Sequence, residues 1–256
     1  LFPYTTLFRS PERDPITHKF IGLAMKVHSA VGPGLSEEIY HQELAAALIA
    51  DGVEHLSKPK RALLYRGIVV DTFEPDFVIE NHFIPELKCL QGSFAKKHMV
   101  QVFCYCKFWQ LRTSLLTDFG KQSLNWVRLL YRSQAAMFAE RTPPANIATS
   151  LADRIVHVVS DCLDEIGLGY RQTTWKSLVN AALQMSGHNV QVDPPAVVLD
   201  RHNISVPCLI VDHTCAIHVT ALNDGISATD RAVLQTQLRW LNLDWGIVFQ
   251  IGRADV

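Results

Sequence analysis

The sequence predicts an α/β protein made of two tandem units, and three observations lead there. Helical periods and short extended runs follow one another in the same order twice. The two halves keep a common register over most of their length. A cluster of acids and a lysine stands in the first half and is replaced in the second. A chain of 256 residues can bury one large core or two ordinary ones, and internal repetition decides for two.

Leu1 to Ser10 reads as the translation of a sequencing-library adapter, so residues 1–10 are expected to be an assembly scar, with the native start codon missing. From Ile16 to Val31, Phe20, Ile21, Ala24, Val27 and Val31 recur at steps of three and four, which predicts a helix. Gly32-Pro33-Gly34 stops it. A second helix is expected from about Ser36 to Asp51, with Glu37 and Glu38 in the first turn where the dipole favours negative charge, and Gly52 at its end. Extended segments follow over 53–64, 68–70, 73–79 and 83–90, punctuated by Gly67 and Asn81. A third helix over 94–111, a strand over 113–119 and a closing segment over 122–132 complete a first unit spanning residues 11–132.

Residues 133–150, with Pro143-Pro144, have no sustained period and read as a linker. The pattern restarts in residues 151–256. Gly32, Gly34, Gly52 and Arg66 match Gly167, Gly169, Gly187 and Arg201 at an offset of 135. After a three-residue deletion the offset is 132, and Phe77, Leu115 and Gly120 match Leu209, Ile247 and Gly252. This register predicts a duplication.

A net charge of -1 supplies no global field for a polyanion, so any nucleic-acid contact must be local. Lys58, Lys60, Arg61, Lys96 and Lys97 could track a phosphate backbone or be ordinary solvated surface. The six cysteines form no C-x-x-C pair and read as reduced thiols of a cytoplasmic protein. No apolar run is long enough for a bilayer, so no membrane partner is expected.

Alternate residues of a strand share a face, which puts Glu86 beside Lys88 with Leu87 turned into the core. If residues 73–79 pair with 83–90 as a hairpin, Asp76 joins that face only by opposing Glu86. That parity requires an odd-length turn centred on Asn81. Two clustered carboxylates repel, and a divalent cation with oxygen ligands, Mg²⁺ or Mn²⁺, relieves them. Gln101 and Tyr105, one helical turn apart, can bring an amide and a phenol to one edge.

Gly34-x-x-Glu37-x-x-Tyr40, then Asp76, Glu86-Leu87-Lys88 and Gln101-x-x-x-Tyr105, resembles the GxxExxY proteins of the PD-(D/E)XK nuclease superfamily. The resemblance implies restriction-endonuclease-like units with an αβββαβ core. It implies that Asp76, Glu86 and the Leu87 carbonyl bind the metal, that Lys88 is catalytic, that Glu37 is an accessory acid, and that Gln101 and Tyr105 support the site or touch substrate. Pro85 departs from the usual apolar run before the E-x-K motif. Either its missing N–H faces an unpaired side or the strand is bulged there, and a bulge would shift Glu86.

In the second unit the matching positions are Gln172, Cys208, His218 and Thr220. Cys208 and His218 form either a Cys/His pair able to bind zinc or act as nucleophile and base, or a decayed site. The expected activity is metal-dependent hydrolysis of DNA or RNA by the first unit, with the second a pseudo-nuclease serving packing, intramolecular pairing or a homodimer. The alternatives are a non-catalytic interaction or regulatory protein built from two such folds, and a hydrolase of small nucleotides.

Overall fold

A computed structural model describes residues 14–132, 149–199, 201–221 and 225–252. The expectations for residues 1–10 and for most of the linker fall outside them. The chain forms two compact units. The first is built from residues up to Pro59, from Pro75–Val102 and from Leu111–Leu130. The second takes Lys60–Glu74, Phe103–Gln110 and the described residues from Tyr131 onward.

Helix α1 (Pro15–Val31) starts on Asp14, whose carboxylate accepts the Ile16 N–H at 3.2 Å, and Pro15 sits where a helix needs no N–H. It ends at Gly32, whose φ of 75° suits a residue without a Cβ. Helix α2 (Glu37–Ala50) follows, then β1 (His55–Ser57), β2 (Arg61–Tyr65), β3 (Ile68–Phe73), β4 (Phe77–Ile79), β5 (Phe83–Lys88), α3 (Lys96–Trp109), β6 (Thr113–Asp118) and β7 (Asn125–Leu130). The extended run predicted over 53–64 is broken at Lys58, which has a left-handed φ of 44°. Of the run predicted over 73–79, Phe73 ends β3 and Phe77–Ile79 form β4, since residues 74–76 leave the ladder around Pro75. The closing segment is a true strand, β7.

In the first unit the strand order is β1-β4-β5-β6-β7. β5 and β6 run parallel from Phe83↔Thr113 to Lys88↔Asp118, which a crossover through α3 makes possible. Both α1 and α2 bury one face against this sheet. Phe20, Ala24, Tyr40, Leu44, Leu48, Phe77, Phe83, Leu87, Leu115 and Phe119 form the core, and each large apolar side chain there contributes roughly 1.5–3 kcal/mol.

The β4–β5 turn settles the parity question. Ile79 pairs with Phe83, so the turn is the three residues Glu80, Asn81 and His82, centred on Asn81. Glu80 and Asn81 both have left-handed φ values, 46° and 48°, and the His82 N–H closes the turn on the Ile79 carbonyl at 2.8 Å. Pro85 causes no bulge, because β5 keeps one unbroken register with β6. N–H groups two apart on a strand point to the same side, and the Leu87 N–H points to Asp76. The missing N–H of Pro85 therefore faces β4, where the ladder has lapsed.

The second unit contains α4 (Thr149–Ile166), α5 (Gln172–Met185), β8 (Val190–Val192), β9 (Pro195–Val198), β10 (His202–Ser205), β11 (Leu209–Val211), β12 (Cys215–Ala221), α6 (Ala228–Leu241) and β13 (Trp245–Ile251). Its sheet runs β13-β12-β11-β8, with β12 and β13 parallel. Its β11–β12 turn again has three residues, with Asp212 and His213 at φ 48° and 60°. The β2–β3 hairpin also belongs to this unit, where its Asp71 takes a two-oxygen ion pair from Arg171 at the start of α5.

Candidate functional site

Sequence places Gly34, Glu37 and Tyr40 around the start of α2, and the geometry explains the spacing. The Tyr40 hydroxyl donates to the Gly32 carbonyl at 2.6 Å and accepts the Leu35 N–H at 3.2 Å. The ring is fully buried and stacks on Phe119 at 4.8 Å. Tyr40 thus pins the Gly-Pro-Gly turn, and Gly34 makes its φ of 103° without penalty. The consequence is a fixed first turn of α2 that carries Glu37.

Asp76, Glu86, Leu87, Lys88 and Gln101 meet at the point where β4 ends beside β5. The Leu87 N–H donates to Asp76 Oδ2 at 2.8 Å, so the carboxylate takes the place of a missing ladder partner. The Asp76 N–H donates to Glu86 Oε2 at 3.3 Å. Lys88 Nζ donates to Glu86 Oε1 and to the Leu87 carbonyl, both at 2.8 Å. Gln101 Nε2 donates to Glu86 Oε1 at 2.7 Å. Glu86 and Lys88 side chains are only 5% and 12% exposed, so their attraction is little screened.

The electrostatics follow from that burial. Desolvation, joined by the charge on Asp76, raises the Glu86 carboxyl well above its ordinary range, with Lys88 pulling the other way. Burial works against the Lys88 ammonium, yet Glu86, then Glu37 and Asp76, hold its pKa above the usual lysine value. Glu37 is raised mainly by burial, opposed by Lys88 and reinforced by Asp76. Its charge is therefore coupled to the cluster, as its place on α2 implied.

Tyr105 bonds to the segment that precedes Asp76. Its hydroxyl donates to the Glu74 carbonyl at 3.2 Å and its ring meets Phe73 edge-on at 6.1 Å. That fixes the segment leading into Pro75.

Two residues of this neighbourhood were not read from the sequence. His41, one helical turn after Glu37, donates from Nε2 to the Asp76 carbonyl at 3.1 Å. Asp118, opposite Lys88 on β6, is 1% exposed and accepts the Leu90 and Gly120 N–H groups at 2.9 and 3.0 Å. Lys121 adds donations to the Leu90, Gln91 and Gly92 carbonyls. Both had a signal: the i,i+4 spacing from Glu37 for His41, and for Asp118 its replacement by Gln250 at the common offset of 132.

The donor set suits a hard divalent cation. Two carboxylates and a main-chain carbonyl are oxygen ligands of the kind Mg²⁺ and Mn²⁺ take. The Lys88 ammonium already bridges Glu86 Oε1 and the Leu87 carbonyl, so a cation is held between those two oxygens. Among the described residues no group of three or more His, Cys, Asp and Glu side chains is arranged to hold a metal. The main-chain carbonyl and water would complete the coordination.

The matching positions in the second unit carry no carboxylate or ammonium of their own, although Asp230 acts on His218 and Lys176 and Asp193 act on Cys208. Gln172 Nε2 donates to the Val219 carbonyl at 2.8 Å, the counterpart of Leu87. His218 is buried with no hydrogen-bond partner at Nδ1, and burial holds its pKa below the usual range. Burial pushes the Cys208 thiol up to about 11. Thiol and imidazole are both uncharged near neutrality.

No helix among the described residues is long and apolar enough to cross a membrane. No curated protein and no solved structure matches the chain. The family described as the PD-(D/E)XK nuclease superfamily does match, over residues 14–129, the segment that carries Glu37, Asp76, Glu86, Lys88 and Gln101. Residues 14–129 are thus a domain of the PD-(D/E)XK nuclease superfamily.

Proposed function

We propose that the first unit hydrolyses phosphodiester bonds of DNA or RNA with Mg²⁺ or Mn²⁺ held by Asp76, Glu86 and the Leu87 carbonyl. The observation that carries this reading is the convergence of Asp76, Glu86 and Lys88 at a break in the sheet. A bound divalent ion supplies Lewis-acid polarisation of the phosphate. Lys88 then places its ammonium against the negative charge that develops on the phosphate oxygens. Gln101 keeps Glu86 aimed by holding Oε1. Glu37, whose pKa burial raises, serves as an accessory acid beside the cluster. Tyr105 supports the segment before Asp76.

We also propose that residues 151–256 are a degenerate second copy with a structural role. Support comes from the backbone. Left-handed residues recur in pairs at the common offsets: Gly32 and Gly167, Gly34 and Gly169, Gly52 and Gly187, Lys58 and Asp193, Glu80 and Asp212, Asn81 and His213, Gln110 and Asn242. Such conformations are uncommon outside glycine, so their repetition in register favours common descent over two convergent α/β folds.

The test is cleavage of single- and double-stranded DNA and RNA with Mg²⁺ or Mn²⁺, comparing the parent with Glu86→Ala and Lys88→Ala. Activity in the parent that falls at least about 100-fold in both variants supports the reading. Activity that survives in both, or that is absent from a folded, metal-binding parent, contradicts it. The rival reading, a non-catalytic interaction protein, draws on the same Lys88 ammonium, which already neutralises Glu86 and covers the Leu87 carbonyl. It predicts a folded parent that neither binds Mn²⁺ nor cleaves.

A further inference from the structure

We infer that His41 is a positioning residue for Asp76, supplying from α2 the anchor that Pro85 removes from the sheet. The importance of this for metal binding rests on the nuclease reading, whereas the anchoring itself does not.

After Ile79↔Phe83, the next rung in the same register would join Phe77 to Pro85, and β4 and β5 form no such rung. The second unit has Ile217 at the Pro85 position, and there the ladder continues through Ile210↔Ala216 to Leu209↔Ile217. Asp76 therefore lies beyond a gap on the β5 side of β4, while on the other side the β1 ladder runs as far as Ser57↔Phe77. Its carboxylate takes the Leu87 N–H at 2.8 Å, and its own main-chain N–H makes the longer bond to Glu86 Oε2 at 3.3 Å. On its carbonyl side it has the Lys58 N–H at 2.9 Å and His41 Nε2 at 3.1 Å.

His41 is well built for this task. A carbonyl only accepts, so Nε2 carries the proton. The ring is 5% exposed and lies flat on Phe77, with centroids 4.3 Å apart and planes 10° from parallel, so its direction is set by packing. Ser57 Oγ lies 3.4 Å from the same nitrogen. At the matching position of the second unit stands Lys176, whose ammonium pairs with Asp193. There the sheet supplies its own rungs and the Cys208 carbonyl takes the Asp193 N–H at 3.0 Å.

The test reads the Leu87 amide, whose N–H reports where Asp76 Oδ2 sits without metal or substrate. In full-length protein, His41→Phe keeps a flat ring on Phe77 and removes the donor, while His41→Gln keeps a donor of similar reach and removes the ring. His41→Asn, too short to reach, gives the same contrast without a new aromatic in the core. Hydrogen exchange at Leu87 should be about tenfold faster in the Phe and Asn variants, the worth of one buried hydrogen bond, and near the parent rate in His41→Gln. In a Pro85→Ile background, loss of the donor should change exchange less than about threefold, because the rung returns. Unchanged Leu87 exchange in His41→Phe and His41→Asn, or equal acceleration in His41→Gln, overturns the inference. Mn²⁺ titration of the same proteins separates the two claims: a parent that binds no Mn²⁺ while His41→Phe still speeds Leu87 exchange sinks the nuclease reading and supports the anchor.

Discussion

The two sheets of this chain make the same three-residue turn and then diverge within a few residues of it. In the second, Ile217 lets the ladder run on, the Val219 carbonyl is covered by a neutral amide, and the polar positions hold Cys208 and His218. In the first, Pro85 interrupts the ladder, Asp76 fills the gap with its carboxylate, and Glu86 and Lys88 face it. Burying a charged cluster costs free energy that a neutral site avoids. The first unit keeps the costly arrangement beside a weakened sheet, and the second has the cheaper one on an intact sheet. The difference separates residues that both scaffolds keep from those of the proposed site.

The comparison breaks most visibly in cleavage. Removing Glu86 or Lys88 should cost at least about 100-fold in rate, while His218→Ala and Thr220→Ala should leave cleavage within about twofold, since neither belongs to the proposed chemistry. Gel assays on all four variants check this, and a large loss in the second pair would place chemistry where the account has none.

A second contrast concerns the matched glycines. A Cβ at Gly120 would lie 2.7 Å from both the N and O of Leu90, main-chain atoms that cannot move aside. The atoms nearest a Cβ at Gly252 belong to the Leu168 side chain, which can rotate. Gly120→Ala should destabilise by about 2–3 kcal/mol and Gly252→Ala by about 1 kcal/mol or less, read by urea unfolding. Equal losses would deny that the Asp118–Lys121 loop is the tighter of the two.

The raised Glu86 pKa gives a pH signature. Above the ordinary glutamate value of 4.5 the folded Glu86 takes up a proton more readily than the unfolded one. Stability of the metal-free protein must therefore fall as pH rises from there through the raised value, by up to about 1.4 kcal/mol per pH unit. Glu86→Gln should flatten that slope and His218→Ala should not; unfolding curves across pH decide. Tyr40→Phe, which frees the Gly32 carbonyl and the Leu35 N–H, should cost about 1 kcal/mol, measured by the same unfolding.

Much of this was legible in the sequence because strands have a strict parity. Requiring Asp76 to face Glu86 led to an odd turn at Asn81, and the helices over 15–31 and 37–50 followed from apolar spacing and the Gly-Pro-Gly stop. Long-range placement was not legible. Nothing local in residues 61–73 says that their hairpin packs with the second unit, because the decisive contact, Asp71 to Arg171, spans 100 residues. Pro85 was read as a possible source of a shift in Glu86; which edge of β5 it faced depended on the Leu87 N–H, a fact of three dimensions. His41 and Asp118 escaped notice because each acts through a main-chain group, which no motif of side chains records.

The central claim is that the chain has one metal-dependent site, in its first unit. Calorimetric Mn²⁺ titration of the full chain measures it most directly. One equivalent of Mn²⁺ should bind, abolished by Asp76→Ala or Glu86→Ala and unchanged in a Cys208→Ala, His218→Ala double variant. Two equivalents, or binding that survives Asp76→Ala and Glu86→Ala, would contradict it.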